Sequence, residues 1–370
     1  MPHSFTGCPS YRIQAAYNRN LPFPSILVVA IGLMLAGRVT AQTFTTLHSF
    51  TANGSFNGIY TNVDGGKPLA GLILSSNTLY GAACLYGTNN NGTVFAINTD
   101  GTSFKDLYNF TGTSGFYNTN SDGASPSARL TLSSNKLYGT TRGGGTNGAG
   151  AVFKLNTDGT GFMNLHSFGV VANNGLSFSN SDGTLPQAGL ILLGNKLYGT
   201  TPSGGTNGNG TIFGLNADGS GFSILHTFSP MKTNSLGFTT NSDGAASVSG
   251  LISSGNFLFG TTFSGGTNGN GTVFAVNING TSFINLYTFS ATHGGTNSDG
   301  ANPSAELFLS GNVLYGTCSG GGTNGNGTVF AVNNNGTSFK NLYSFSATHG
   351  GTNVDGANPH SGLMLSSDSL

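Results

Sequence analysis

The chain has 370 residues, no formal net charge, and only 6% charged residues, which argues against the basic stripe a nucleic-acid partner requires. Its 36% hydrophobic and 11% aromatic content is too high for a disordered chain. The 61 glycines would be costly in helices and fit a turn-dense β protein.

The N-terminus has the pattern of an export signal. Arg12 and Arg19 form a positive flank, Ile26 to Ala36 is an apolar run too short to span a bilayer comfortably, and Val39-Thr40-Ala41 has a cleavage-site pattern. Residues 1–41 are therefore predicted to be a signal peptide and 42–370 a single repeat domain. The expected location is exported: extracellular, periplasmic or cell-surface attached. Without the signal, nine Lys or Arg face twelve Asp or Glu, a net charge of −3.

Phe44 to Phe50 is the first predicted strand. After it, a block reading L-Y-G-T-T, a Gly-rich loop and G-T-V-F recurs with its Leu at Leu79, Leu137, Leu197, Leu258 and Leu314, spaced 56 to 61 residues apart. A period of this length marks a repeat architecture. In one unit, Ala128 to Leu132 is predicted as strand A, Lys136 to Thr141 as strand B, Ala151 to Asn156 as strand C and Phe162 to Phe168 as strand D. Period-2 alternation in strand D predicts Phe162, His166 and Phe168 on one face, Met163 and Leu165 on the other. Strands C and D are joined by Asp100-Gly101, Asp158-Gly159, Asp218-Gly219, Asn279-Gly280 and Asn335-Gly336, pairs that accept the positive φ of a tight hairpin.

The predicted fold is all-β: a β-propeller of four-stranded antiparallel blades, five complete and a sixth incomplete. Phe44 to Phe50 is expected to serve as strand D of the last blade, and Gly362 to Leu365 as its strand A. The sequence stops as the sixth strand B begins, so the chain is expected to be a truncated product.

Antiparallel order puts the B–C and D–A connections on one face, where the D–A loops are long enough to suggest function. Each D–A loop ends in Asn-x-Asp-Gly, with carboxylates at Asp64, Asp122, Asp182, Asp243, Asp299 and Asp355. The structural reading is an Asx turn leading into strand A, with Gly at positive φ. The functional reading makes these aspartates ligand-binding candidates, joined by His293 and His349 in twin Ala-Thr-His-Gly-Gly-Thr-Asn loops. Calcium is a weak fit, since it takes six to eight oxygens and each loop offers one carboxylate. No metal ligand set, cofactor or catalytic residue is assigned. His48, His166 and His226 stand where other units have Tyr108, Tyr287 and Tyr343, so they read as packing residues. Cys84 and Cys318 read as small strand residues whose pairing depends on the spatial order of their units.

The motif at Leu258 to Phe274 (LFGTTFSGGTNGNGTVF), repeated at Leu314 to Phe330, resembles the GloVer tandem repeat. That resemblance implies an exported bacterial, propeller-like protein, secreted or surface-attached and often carrying a C-terminal sorting anchor. It implies no established activity. The sequence ends before any such anchor, in keeping with the expected truncation, and Ala82-Ala83-Cys84 makes its first repeat degenerate.

The functional expectation is a non-catalytic binding or structural module for an extracellular glycan, cell-wall material or a surface protein, with no nucleic acid and no membrane span in the mature chain. Loop aromatics such as Phe56, Tyr60, Phe116, Tyr117, Phe178 and Phe238 suit a glycan. The alternative is a secreted polysaccharide-active hydrolase or lyase using residues of the long-loop face.

Overall fold

The computed structural model describes residues 44–364 except 53, 57–58, 116, 171, 174–177 and 235–236. The predicted signal peptide 1–41 lies outside the described residues, as does residue 365 of the sixth predicted strand A. Among the described residues there is no helix, hence none long and apolar enough to cross a membrane.

Five antiparallel sheets of four or more strands follow one another along the described residues, with two-stranded ribbons in three of the loops that lead into them. The first runs through Ile73–Ser75, Thr78–Ala83, Thr93–Asn98 and Lys105–Asn109, strands A to D in turn. The second uses Thr131–Ser133, Lys136–Thr141, Ala151–Asn156 and Met163–Ser167. The third uses Ile191–Leu193, Lys196–Thr201, Thr211–Asn216 and Ser223–Thr227. The fourth uses Ile252–Ser254, Phe257–Thr262, Thr272–Asn277 and Phe283–Thr288. The fifth uses Phe308–Ser310, Val313–Gly320, Thr328–Asn333 and Lys340–Ser344, with Ala301–Pro303 as an extra strand against the end of its strand B. Just before each of the five strands A lies a residue that lines one shared cavity (Leu69, Ser127, Gln187, Val248 and Ser304), and His360 joins them from the same register of the sixth repeat. Corresponding residues from six repeats meeting at one place put the sheets around a common axis. The fold is a β-propeller, and its strands A are innermost.

Strands B and C of the second blade match their predicted bounds, and the C–D turns form as expected. Asp158 Oδ1 accepts from Thr160 N at 2.8 Å, and Gly159 takes φ 92°. Strand A begins at Thr131 rather than at Ala128, and in the third and fourth blades the segment ahead of strand A is held sideways by the preceding blade. Thr140 Oγ1 in one blade donates to Ala188 O of the next at 3.1 Å, and Thr200 Oγ1 to Ser249 O at 3.2 Å. Strand D also departs from simple alternation. A bulge between Asn164 and His166 breaks the register. Phe162 turns to the preceding blade and stacks on Tyr108 at 3.9 Å, whereas His166 and Phe168 face the following one. Phe44 to Phe50 is not a paired strand. Its side chains still take strand-D places: Leu47 and Phe50 pack on the first blade, and His48 stacks on Phe104 at 3.7 Å. Likewise Gly362 to Met364 adopts no strand.

The core lies between blades. One cluster joins Tyr138, Val152, Leu165 and Phe168 of the second blade to Leu197, Phe213 and Leu215 of the third, and the same arrangement recurs at successive interfaces. A backbone bond accompanies each of five interfaces. Ser125, Leu185, Ala246, Asn302 and Asn358 hold φ between 54° and 59°. Their N–H groups donate to carbonyls of the preceding B–C loop (Asn91, Ala149, Asn209, Asn270 and Asn326) at 2.8 to 3.1 Å. Cys84 and Cys318 lie in the first and fifth blades, and Cys318 is a buried free thiol that makes no bridge to Cys84.

The glycine of L-Y-G-T-T is required by the core. A Cβ on Gly139 would lie 2.6 Å from Phe153 Cζ, and one on Gly199 equally close to Phe213 Cζ. Phe153 has no exposed surface. Phe153→Ala is expected to cost about 3–5 kcal/mol, and Gly139→Ala about 1–3 kcal/mol through overpacking, both read from denaturant titration. A loss under ~1 kcal/mol for Phe153→Ala would place that ring outside the packed core.

Candidate functional site

The face carrying the B–C and D–A loops is built on the repeated Asn-x-Asp-Gly, and the two polar side chains divide the work. The asparagine ties loops together. Asn120 Oδ1 accepts from Gly123 N at 2.9 Å and Gly145 N at 2.7 Å, while its Nδ2 donates to Thr111 O at 2.9 Å and Gly123 O at 2.8 Å. Asn62, Asn180, Asn241 and Asn297 repeat the same four bonds. Each uses both amide hydrogens and both lone pairs of its oxygen. Gly123 sits at φ 108°, a region open to glycine.

The aspartate turns inward to the end of strand D. Asp122 accepts from Tyr108 OH at 2.7 Å, Thr111 N at 2.9 Å and Thr111 Oγ1 at 2.6 Å. His48, His166 and His226 reach Asp64, Asp182 and Asp243 through Nε2 at 3.0, 2.9 and 2.8 Å. Tyr287 and Tyr343 donate to Asp299 and Asp355. Thus the Asx turn is closed by Asn, and the carboxylate caps the strand. Five of the six aspartates are buried and the sixth, Asp355, is half-buried. Burial alone would raise the Asp64 pKa, but bonds from Thr51 and His48 hold it below the ordinary value. Burial, then the bond to the carboxylate, push the Tyr108 and Tyr287 hydroxyls well above an ordinary phenol, so both remain donors.

His293 and His349 are exposed at the ends of two-residue turns, each exchanging backbone bonds with Thr296 or Thr352. They are not brought together with the aspartate carboxylates, whose bonds run to strand D. Of the loop aromatics, Tyr117 is exposed and Phe238 half-buried. Phe116 and the side chains of Phe56, Tyr60 and Phe178 lie outside the described residues. Among the described residues no group of three or more His, Cys, Asp or Glu could hold a metal ion.

Two hollows open on this face. One, of about 530 Å³, is a groove between loops of the first blade, lined by Thr61, Thr88, Asn89, Asn90, Asn91, Gly112 and Thr113. Asn89 and Asn91 donate to Phe110 O and Thr111 O, which fixes the wall. The other is the axial cavity, about 220 Å³, to which Arg142 adds a positive group. These hollows were missed in reading for recurring motifs. The signal for them is departure from the repeat: Asn90 stands where other units have Gly148, Gly208, Gly269 and Gly325, and Arg129 and Glu306 stand where others have Gly71, Gly189, Gly250 and Gly362.

The Gloeobacter/Verrucomicrobia repeat matches residues 35–234 and 231–370. The chain belongs to this family. No curated protein matches the Gloeobacter/Verrucomicrobia repeat chain in sequence. Among solved structures it is similar to a chain of a nidogen/laminin complex (14% identity, 70% of this chain and 72% of that one, TM-score 0.40). It is also similar to TolB from Acinetobacter baumannii (12% identity, 70% and 50%, TM-score 0.41) and to the GH74 enzyme of Niastella koreensis (14%, 72% and 36%, TM-score 0.42). The chain thus spans half of the TolB chain and about a third of the GH74 chain.

Two outcomes follow for this repeat. His226→Tyr keeps a flat ring with a donor at its tip and is expected to leave stability nearly unchanged, whereas His226→Leu should cost about 1–3 kcal/mol by removing a donor to Asp243; denaturant titration separates them. The second outcome concerns Asp106, which stands where other blades have Asn164, Asn285 and Asn341, all with an Oδ1 lacking a protein partner. Burial pushes its carboxyl from 3.8 up to about 6, opposed by a bond from Asn109 and aided by the Asp64 charge. The folded state therefore holds this proton more tightly, and the stabilisation is full below about pH 4 and lost as pH rises through about 6. Asp106→Asn should remove that loss, flattening the melting-temperature profile between these values.

Proposed function

We propose that the mature chain is exported and acts as a non-catalytic binding or structural module whose loop face takes a neutral, hydroxyl-rich ligand such as a glycan or cell-wall material. The groove of the first blade carries the reading. Its lining is hydroxyl, amide and glycine backbone without a charged group, a surface suited to sugar hydroxyls that both donate and accept. The recurring aspartates are already engaged by strand D, so the polar groups turned to solvent on this face are largely amides and hydroxyls. Asn90, exposed at φ 61°, offers a side-chain amide that bonds no other described residue.

A glycan array probed with the purified chain tests this. Binding is expected, and Asn90→Gly, which restores the residue of the other repeats, should weaken it about tenfold with the melting temperature unchanged. Failure to bind any glycan, or release of reducing ends from a polysaccharide panel, would defeat the non-catalytic glycan reading; the second result would favour a hydrolase or lyase.

A further inference from the structure

The chain's single Glu, Glu306, sits in the segment entering strand A of the fifth blade, and Arg129 holds the same register in the second. Both lie two residues beyond Ser304 and Ser127, which line the axial cavity. Alternation puts them on the channel side, since Ala128 and Leu130, like Ala305 and Leu307, are buried. The four other repeats have glycine at this level, and the two long side chains occupy the room those glycines leave. A Cβ on Gly71 would lie 3.9 Å from Arg129 Cδ, and one on Gly250 would lie 3.2 Å from Glu306 Cδ. In a chain with 6% charged residues, one wall of the channel thus carries Arg129 and Arg142, and a wall three repeats away carries Glu306.

The two charges are not neutralised by contact. Neither Arg129 nor Glu306 makes an ion pair or hydrogen bond among the described residues, and both are exposed to the channel. They nevertheless share one field. Crowding by protein raises the Glu306 carboxyl pKa, and the Arg129 guanidinium pulls it back. Beside them, bounded by Ser127 and Ser304 two residues before each, the axial cavity of about 220 Å³ has room for several waters. Its rim adds Gln187 and a Ser304–His360 hydrogen bond of 3.1 Å.

We propose that the axial channel is a binding site for a small zwitterion of amino-acid size, its carboxylate held by Arg129 on the second blade and its ammonium by Glu306 on the fifth. A planar guanidinium recognises a carboxylate through paired N–H donors, and a carboxylate is the matching acceptor for an ammonium. An anion alone would leave Glu306 opposing it, and a cation alone would face the arginines. Only a dipolar solute satisfies both walls.

Calorimetric titration of the full chain with glycine, β-alanine, γ-aminobutyrate and ε-aminocaproate tests the site and measures the span between the two charges. Acetate and methylammonium serve as half-ligands. At least one zwitterion is expected to bind with Kd near or below ~1 mM and about tenfold or more tighter than either half-ligand. Arg129→Gly and Glu306→Gly, each the residue of four other repeats, and the isosteric Glu306→Gln should each weaken that binding about tenfold or more. Asn90→Gly should leave it intact, which separates this site from the glycan groove. The proposal is overturned if no zwitterion surpasses the half-ligands, or if binding survives Arg129→Gly and Glu306→Gln. It is equally overturned if these variants lower the melting temperature of a chain that binds none of the probes, since the pair would then serve only to hold opposite blades.

Discussion

A flat ring held between a carboxylate and a phenylalanine is the interaction on which the rest of the molecule depends. At the third-to-fourth blade interface, His226 stacks on Phe283 at 3.8 Å, and its Nε2 lies 2.8 Å from Asp243. Tyr287 on Phe339, bonded to Asp299, repeats the arrangement one blade later. Ring contacts of this kind add about 0.5–1.5 kcal/mol beyond the area they bury. A hydrogen bond to a charged group adds about 1.5–3 kcal/mol. The same ring therefore fastens blade to blade and loop to sheet. It also explains why His and Tyr interchange here: both are flat and both present a polar atom at the far end. Tyr343 shows the ring without its stack. It keeps its bond to Asp355 and an edge contact with Phe345, but among the described residues no ring stacks on its face, and it is 47% exposed.

Much of this fold is legible in the residues because the repeat amplifies weak signals. Strands B and C recur as near-identical phrases, Lys136 to Thr141 and Ala151 to Asn156 among them, and the Asp-Gly and Asn-Gly turns fix where C ends and D begins. The bulge in strand D is less legible, since no residue type demands it and only the inter-sheet position of Leu165 and His166 reveals it. Ala128 to Leu130 reads as strand in sequence, but only Thr131–Ser133 pairs with strand B; the equivalent segments of the third and fourth blades accept bonds from the preceding blade. The motif Asn-x-Asp-Gly stood out as six copies. Which of its side chains would close the turn depends on the proximity of Gly145 and Thr111 to Asn120, which is tertiary information. The positive φ at residues as different as Leu185 and Asn302 has no local cause either. It is stabilised by the N–H each delivers to the neighbouring blade.

The search for a site is correspondingly inverted. In a protein made of copies, the conspicuous residues are those every copy needs in order to pack, and they are already occupied. Chemistry available to a ligand sits where one copy differs: an asparagine in place of glycine at the edge of the first blade, or an arginine and a glutamate in place of glycines around the axis. Such positions lack any motif of their own, and comparing the repeats with one another brings them out.

The backbone bond that each left-handed residue sends to its predecessor is indifferent to side chain, since Ser, Leu, Ala and Asn all make it. Together with the ring stack, it makes the four seams between successive complete blades the same kind of joint. A genetic slip that gained or lost one whole unit would leave all surviving joints chemically unchanged. Its main casualty would be the lining of the axis, where arginine and glutamate owe their opposition to the number of units between them. Copy number in such an array is thus a coarse dial on what the centre can hold, turned without rewriting a single seam.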